Sequence, residues 1–170
     1  ALDGAGREKL QAVLSELAEE RASVSSVVDE RAWRVHVADS LTGLEVPELA
    51  RAERVADVGA GAGFPGLALA VALPEARVDL IESVGRKCEF MRRAIAKAAI
   101  GNATVRNTRS EEWAAGEGRE SYDVVTARAV GRLSTLAELA SPLLEPNGVL
   151  VAWKGRRSSE EERQLERASE

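Results

Sequence analysis

The stretch Val55-Ala-Asp-Val-Gly-Ala-Gly-Ala-Gly-Phe-Pro-Gly66 constrains the fold of this chain more than any other. Residues 55–58 are β-formers with one acid, Asp57, set among them. Gly59, Gly61 and Gly63 then alternate with alanines, so the next segment is nearly bare backbone that a ligand can approach closely. Pro65 suits the first turn of a helix, where a missing N–H is not needed. An apolar helix follows over 66–73 and stops at Pro74. Strand, bare loop and helix in that order make a nucleotide site at the carboxyl end of a parallel sheet.

The rest of the chain repeats the alternation. Strands are expected at 55–58, 77–82, 103–107, 122–127 and 148–153, with helices at 65–73, 85–99, 111–115 and 132–144. That pattern is the signature of a doubly wound α/β sheet. Ahead of it, Leu10, Val13, Leu14 and Leu17 share one face of an amphipathic helix over 7–21. A second helix is expected from Asp29, its N-cap, to Thr42. The expected organisation is an N-terminal helical extension over 1–50, a Rossmann-like core over 51–157 and a charged helical tail over 158–170.

A chain of 170 residues is expected to form one domain with a real core. No apolar run is long enough to span a membrane, and no signal peptide is expected at the start of the chain. The single cysteine, Cys88, excludes an internal disulfide and a cysteine-rich zinc site. It reads as a core residue facing Met91 and Ile95. The expectation is a metal-free monomer in the reducing cytoplasm. A net charge of −5 argues against a generic nucleic-acid coat. Basic residues nevertheless cluster: Arg31 and Arg34, then Arg86, Lys87, Arg92 and Arg93, then Arg128, Arg132, Lys154, Arg156 and Arg157. Several fall at the carboxyl edge of the sheet, which reads as a phosphate track. Arg34, His36, Arg86, Lys87, Arg132 and Lys154 are the candidate nucleic-acid contacts.

Residues 61–66 formally match the dinucleotide fingerprint, and Glu82 lies at about the expected distance. Two details point elsewhere. Asp57 precedes the first glycine by two residues, and Pro65 removes an N–H where a pyrophosphate wants donors. An acid ahead of the loop suits S-adenosylmethionine, which presents an ammonium and a sulfonium. Glu82, at the end of the second strand, can accept ribose hydroxyls from either cofactor. Two alternatives stay open: a nicotinamide-dependent (NAD(P)) oxidoreductase on the same loop, and a non-catalytic RNA-binding assembly factor.

Four motifs carry a family resemblance: residues 57–66, Glu82-Ser-Val-Gly-Arg-Lys-Cys-Glu-Phe90, Thr126-Ala-Arg-Ala-Val130 and Trp153-Lys-Gly155. With His36-Val-Ala-Asp-Ser40, they resemble the bacterial small-subunit (16S) ribosomal RNA guanine-N7 methyltransferases, the RsmG (GidB) family, over about residues 22–157. The resemblance implies a class I S-adenosylmethionine-dependent methyltransferase acting on small-subunit ribosomal RNA or its particle. It places the cofactor against Gly59, Phe64, Ser110, Glu111 and Arg128, with two further strands after those seen here. Where the family has Asn-Leu-Thr, this chain has Ser23-Val24-Ser25. Arg128 is the expected catalytic residue, where cofactor and guanine meet, its bland alternative being an ion pair to a nearby acid. The cofactor set is Asp57, Gly59, Gly61, Gly63, Phe64, Glu82, Ser110, Glu111 and Arg128.

The missing residues narrow the chemistry further. Amino-methylating nucleic-acid enzymes carry an acid or amide with two prolines after the fourth strand, where this chain has Thr126-Ala-Arg-Ala-Val130. Methylation at a ring carbon needs a cysteine nucleophile, and Cys88 is in the wrong place. Guanine N7 needs neither, because its lone pair is exposed and no proton has to leave.

Overall fold

The computed structural model describes residues 2–20, 24–128 and 131–155. The expected tail at 158–170 therefore lies outside the described residues, as do Arg156 and Arg157. The elements are α1 (Gly4–Glu19), a π-helical turn (Trp33–Ala38), α2 (Asp39–Leu41), a 3₁₀ turn (Thr42–Glu45), α3 (Pro47–Ala50), β1 (Arg54–Val58), α4 (Gly66–Ala72), β2 (Arg77–Glu82), α5 (Gly85–Lys97), β3 (Ala103–Asn107), α6 (Ser110–Ala114), β4 (Tyr122–Arg128), α7 (Leu133–Ala140) and β5 (Leu144–Trp153). The strands form one sheet in the order β3-β2-β1-β4-β5, and every pairing is parallel.

The order explains the burial. β1, β2 and β4 lie inside the sheet under helices on both faces, so they are nearly continuous apolar runs. β3 is an edge strand and stays half exposed, which is why its sequence signal is weak. Side chains alternate between two cores. Val55, Val78, Leu80 and Val124 pack beneath α1, α4 and α5. Ala56, Val58, Ile81 and Val125 pack on the opposite face with Ala114, Ala140 and Leu143.

The extension is part of the first core. Asp3 caps α1 by accepting the Gly6 N–H at 2.7 Å, so the helix begins earlier than its apolar pattern suggests. Leu10, Val13 and Leu17 are fully buried, each contributing on the order of 2 kcal/mol of apolar burial. Acids of α1 face cations of α5: Glu16 pairs with Arg93 and Lys97, Glu19 with Lys97, and Glu20 with Arg93. Arg93 thus serves the helix–helix contact and not the basic track.

The expected helix over 29–42 is only partly regular. Its turn at Trp33–Ala38 is wide, closed by the Asp39 N–H on the Arg34 carbonyl five residues back. β5 begins four residues earlier than expected. A register shift against β4 between Tyr122 and Val124 admits Pro146-Asn147-Gly148, with Asn147 at φ 70°.

Candidate active site

Four strand ends converge at the carboxyl edge of the sheet, and each carries an expected residue. β1 runs into the glycine loop, in which Gly59, Gly61 and Gly63 have φ of 67°, 58° and 85°. Two of these positions set the loop. A Cβ on Gly63 would run into the Leu67 side chain, whereas one on Gly61 would meet only the Gly59 carbonyl oxygen, at 3.7 Å. Gly61 is therefore bare because the left-handed backbone demands it, and its open side leaves the main chain approachable.

Two carboxylates hold the loop. Glu82, at the end of β2, is 7% exposed. It accepts the Gly61 N–H at 3.0 Å on Oε2 and the Val84 N–H at 2.9 Å on Oε1. Asp57, 1% exposed, accepts the Gly66 N–H at 2.8 Å on Oδ2 and the Thr126 hydroxyl at 3.1 Å on Oδ1. Where the sequence suggested a cofactor's charged groups, Asp57 here faces the loop and the sheet. It is buried because α4 packs its first turn onto β1, and its partners are loop and sheet. Burial pushes its pKa up to about 7, against the lowering effect of the Gly66 and Thr126 hydrogen bonds.

These bonds leave few donors. The N–H groups of Gly59 and Ala60 go to the Ile81 carbonyl, Gly63 to Ala60, Leu67 to Gly63, Gly61 to Glu82 and Gly66 to Asp57. Pro65 has none. A pyrophosphate would meet a loop in which most donors are spent internally, those of Ala62 and Phe64 excepted, and whose flanks carry two acids.

Arg128, at the end of β4, turns towards the extension. Nη1 donates to the Val35 carbonyl at 2.9 Å and approaches Asp39 Oδ2 at 3.3 Å and Ser40 Oγ at 3.4 Å. Nη2 lies 3.3 Å from His36 Nδ1. The bland alternative, an ion pair to a nearby acid, is therefore what the side chain makes here. Trp153, at the end of β5, adds a second tie by donating Nε1–H to the Asp39 carbonyl at 2.9 Å.

His36, an expected RNA contact, lies inside the protein in this structure. Only 6% of it is exposed, and its ring stacks on Phe64 with centroids 5.1 Å apart at 22°. Nε2 lies 2.9 Å from the Val27 carbonyl and 3.2 Å from Ser25 Oγ. Burial lowers its pKa most; the Val27 hydrogen bond opposes this, Arg128 adds to it and Asp39 opposes it.

The other expected residues are distributed as follows. Ser110 Oγ donates to Glu111 Oε2 at 3.1 Å at the start of α6, after β3. The backbone N–H of Glu111 and then this bond hold its carboxyl below the usual range. No described hydrogen bond joins this pair to the glycine loop or to Arg128. Lys87 turns back to Glu82, 3.9 Å away. Arg34, in the π-helical turn, and Arg86 and Arg132, just after β2 and β4, are exposed. Lys154 donates to the Gly131 carbonyl at 3.0 Å.

Sequence reasoning missed Thr126, Asn107 and Trp153 as supports. Thr126 had a signal: it is a polar residue in a buried strand, directly in register with Asp57. Asn107 ties the end of β3 to the carbonyls of Glu82 and Ser83. Among the described residues no group of three His, Cys, Asp or Glu side chains could hold a metal ion. None of the described helices is long and apolar enough to cross a membrane.

Comparison with known proteins agrees with this architecture. The chain resembles a methyltransferase of known structure from Geobacter sulfurreducens (TM-score 0.61, 19% identity, 98% of this chain and 80% of that one). It also resembles a putative caffeoyl-CoA O-methyltransferase from Staphylococcus aureus (TM-score 0.61, 16% identity, 92% and 77%). At such identities the likeness shows the fold: a class I methyltransferase sheet. Among sequences, a ribosomal RNA small subunit methyltransferase G from Sorangium cellulosum is 40% identical over 84% of this chain and 60% of its own length. One from Rubrobacter xylanophilus is 48% identical over 71% of this chain and 46% of its own. The chain thus spans about half to three-fifths of these curated relatives. The family model described as rRNA small subunit methyltransferase G (GidB) matches residues 7–170, and the chain belongs to that family.

Proposed function

We propose that the protein binds S-adenosylmethionine on the glycine loop and serves transfer of its methyl group to N7 of a guanine in 16S ribosomal RNA. The observation that carries this reading is the loop's hydrogen bonding. The N–H groups of Gly59, Ala60, Gly61, Gly63 and Gly66 are used internally and two carboxylates flank the loop. That suits a cationic cofactor with a ribose diol and opposes a dinucleotide's pyrophosphate, the runner-up on the same motif. Membership of the family and the methyltransferase sheet support it independently.

The residues present fit such a cofactor. Gly61 offers open backbone, and each Glu82 oxygen keeps a second lone pair for a ribose hydroxyl. Phe64, Ser110 and Glu111 complete the edge where the resemblance puts the cofactor. When bound, S-adenosylmethionine supplies an activated methyl on a sulfonium. The chain's task is then to bind, align and exclude water. No general base is required, and His36 is not one: its nitrogens are engaged with Val27 and Arg128. Arg34, Arg86, Arg132 and Lys154 form the RNA-facing track, and Arg128 joins it to the extension. The reading further takes residues 1–50 as an extension seated on a core over 51–157, in a cytoplasmic monomer.

Titration calorimetry with S-adenosylmethionine and with the nicotinamide dinucleotides tests the cofactor. Methylation of small-subunit ribosomal RNA, with the product mapped by cleavage at N7-methylguanine, tests the acceptor. Dinucleotide binding, or methylation of an exocyclic amine, overturns the reading.

A further inference from the structure

We propose that His36 is a positioning residue for the cofactor loop: a neutral imidazole, held by its two nitrogens, whose ring seats Phe64. The inference rests on the cofactor reading above. Four observations carry it. The two rings are stacked and nearly excluded from solvent, His36 at 6% and Phe64 at 4% exposure. Phe64 belongs to the Gly61–Gly66 turn, so whatever fixes its ring fixes the exit of the glycine loop. Val27 offers His36 Nε2 a carbonyl, which can only accept, so Nε2 carries the hydrogen. Arg128 offers Nδ1 an N–H, which can only donate, so Nδ1 is the lone-pair nitrogen.

The two ends of the ring are thus assigned by partners of opposite character. A doubly protonated ring would turn an N–H towards the Arg128 guanidinium and lose that contact. Burial and Arg128 both favour the neutral form, while Asp39, on the adjacent turn, and the Val27 carbonyl favour the charged one. The brace itself is anchored. The Ser40 hydroxyl donates to the His36 carbonyl, and Arg128 Nη1 reaches Ser40 Oγ and the Val35 carbonyl. The arrangement runs without a gap from the end of β4, through Arg128 and His36, to Phe64. It lets the extension, which carries no loop glycine, govern the shape of the loop.

The test uses the fact that the chain has one histidine. In protein labelled with 15N-histidine, the nitrogen resonances are expected to report the Nε2–H tautomer at pH 7. Both are expected to shift when S-adenosylmethionine is added. Two variants separate seating from plain packing. His36→Leu removes the ring, and His36→Phe keeps a flat ring on Phe64 but no nitrogens. Both leave Val27 and Arg128 without their partner, so both should lose similar thermal stability. Cofactor affinity should fall by about tenfold in His36→Leu and by no more than about threefold in His36→Phe, the range an aromatic pair can supply.

Equal affinity losses in the two variants, or none in His36→Leu, overturn the seating role. An Nδ1–H tautomer in the unmodified protein overturns the brace. If neither variant folds, nitrogen resonances that ignore the cofactor decide against the inference. If the unmodified protein binds no S-adenosylmethionine, the cofactor reading fails and takes this inference with it.

Discussion

Replacing Asp57 by Asn should abolish a pH dependence built into the loop. Asp57 sits wholly inside the protein with its pKa raised from 3.8 to about 7. An acid whose pKa is raised on folding binds its proton more tightly in the folded state. Its contribution is therefore fully present below the unfolded pKa and is lost as pH rises through the folded one. The shift is about three units, and at 1.36 kcal/mol per unit the loss between pH 4 and pH 8 is about 4 kcal/mol. Asn copies the neutral acid: its carbonyl can accept the Gly66 N–H, and its amide can donate to Thr126, whose hydroxyl can turn to the Ala56 carbonyl at 3.4 Å. The assay is urea unfolding of both proteins from pH 4 to pH 8. The unmodified protein should weaken relative to Asp57→Asn as pH rises towards 7 and then level off. His36, with its lowered pKa, contributes the opposite slope below its ordinary value, but it titrates in both proteins and cancels in the difference. A difference that stays flat within about 1 kcal/mol would refute the argument that burial dominates at Asp57.

Two further outcomes are expected. Glu82→Ala should weaken S-adenosylmethionine by about 1–3 kcal/mol in calorimetry, because it unties the Gly61 and Val84 N–H groups as well as the ribose; an unchanged affinity would mean the ribose is held elsewhere. Arg86→Glu combined with Arg132→Glu should impair RNA methylation while leaving cofactor affinity intact, since phosphate contacts are electrostatic and separate from the loop; methylation that survives at physiological salt would place the RNA on another face.

The loop, the order of strands and helices and the residues at the strand ends were readable because each rests on local chemistry. Glycines, β-branched runs and a stop at Pro74 speak within a dozen residues. What was hidden is what those residues touch. Arg128 finds its partners 88–93 residues back in the chain, and Thr126 meets Asp57 across 69. Asp57 looked like a ligand-facing acid because an acid in a buried strand usually has a reason; its reason here is the Gly66 N–H. Helical spacing groups His36 with Asp39 and Ser40 on one face, but it does not show that the wide turn at 33–38 and the segment ending at Val27 enclose the ring. No local pattern separates a π-helical turn from an α-helical one.

The Asp57–Thr126 hydrogen bond has a consequence for the order in which the protein assembles. β1, α4 and β2 are consecutive and can pair after closing a short segment. β4 must return across about seventy residues to lie beside β1, and contacts of such sequence separation form slowly. Until it docks, the acid beneath the loop lacks its hydroxyl partner and Arg128 is not in place to receive the extension. A nascent chain that has already paired β1 with β2 therefore carries all its glycines without a competent loop. The affinity for cofactor should emerge in the last kinetic phase of refolding, behind most of the secondary structure.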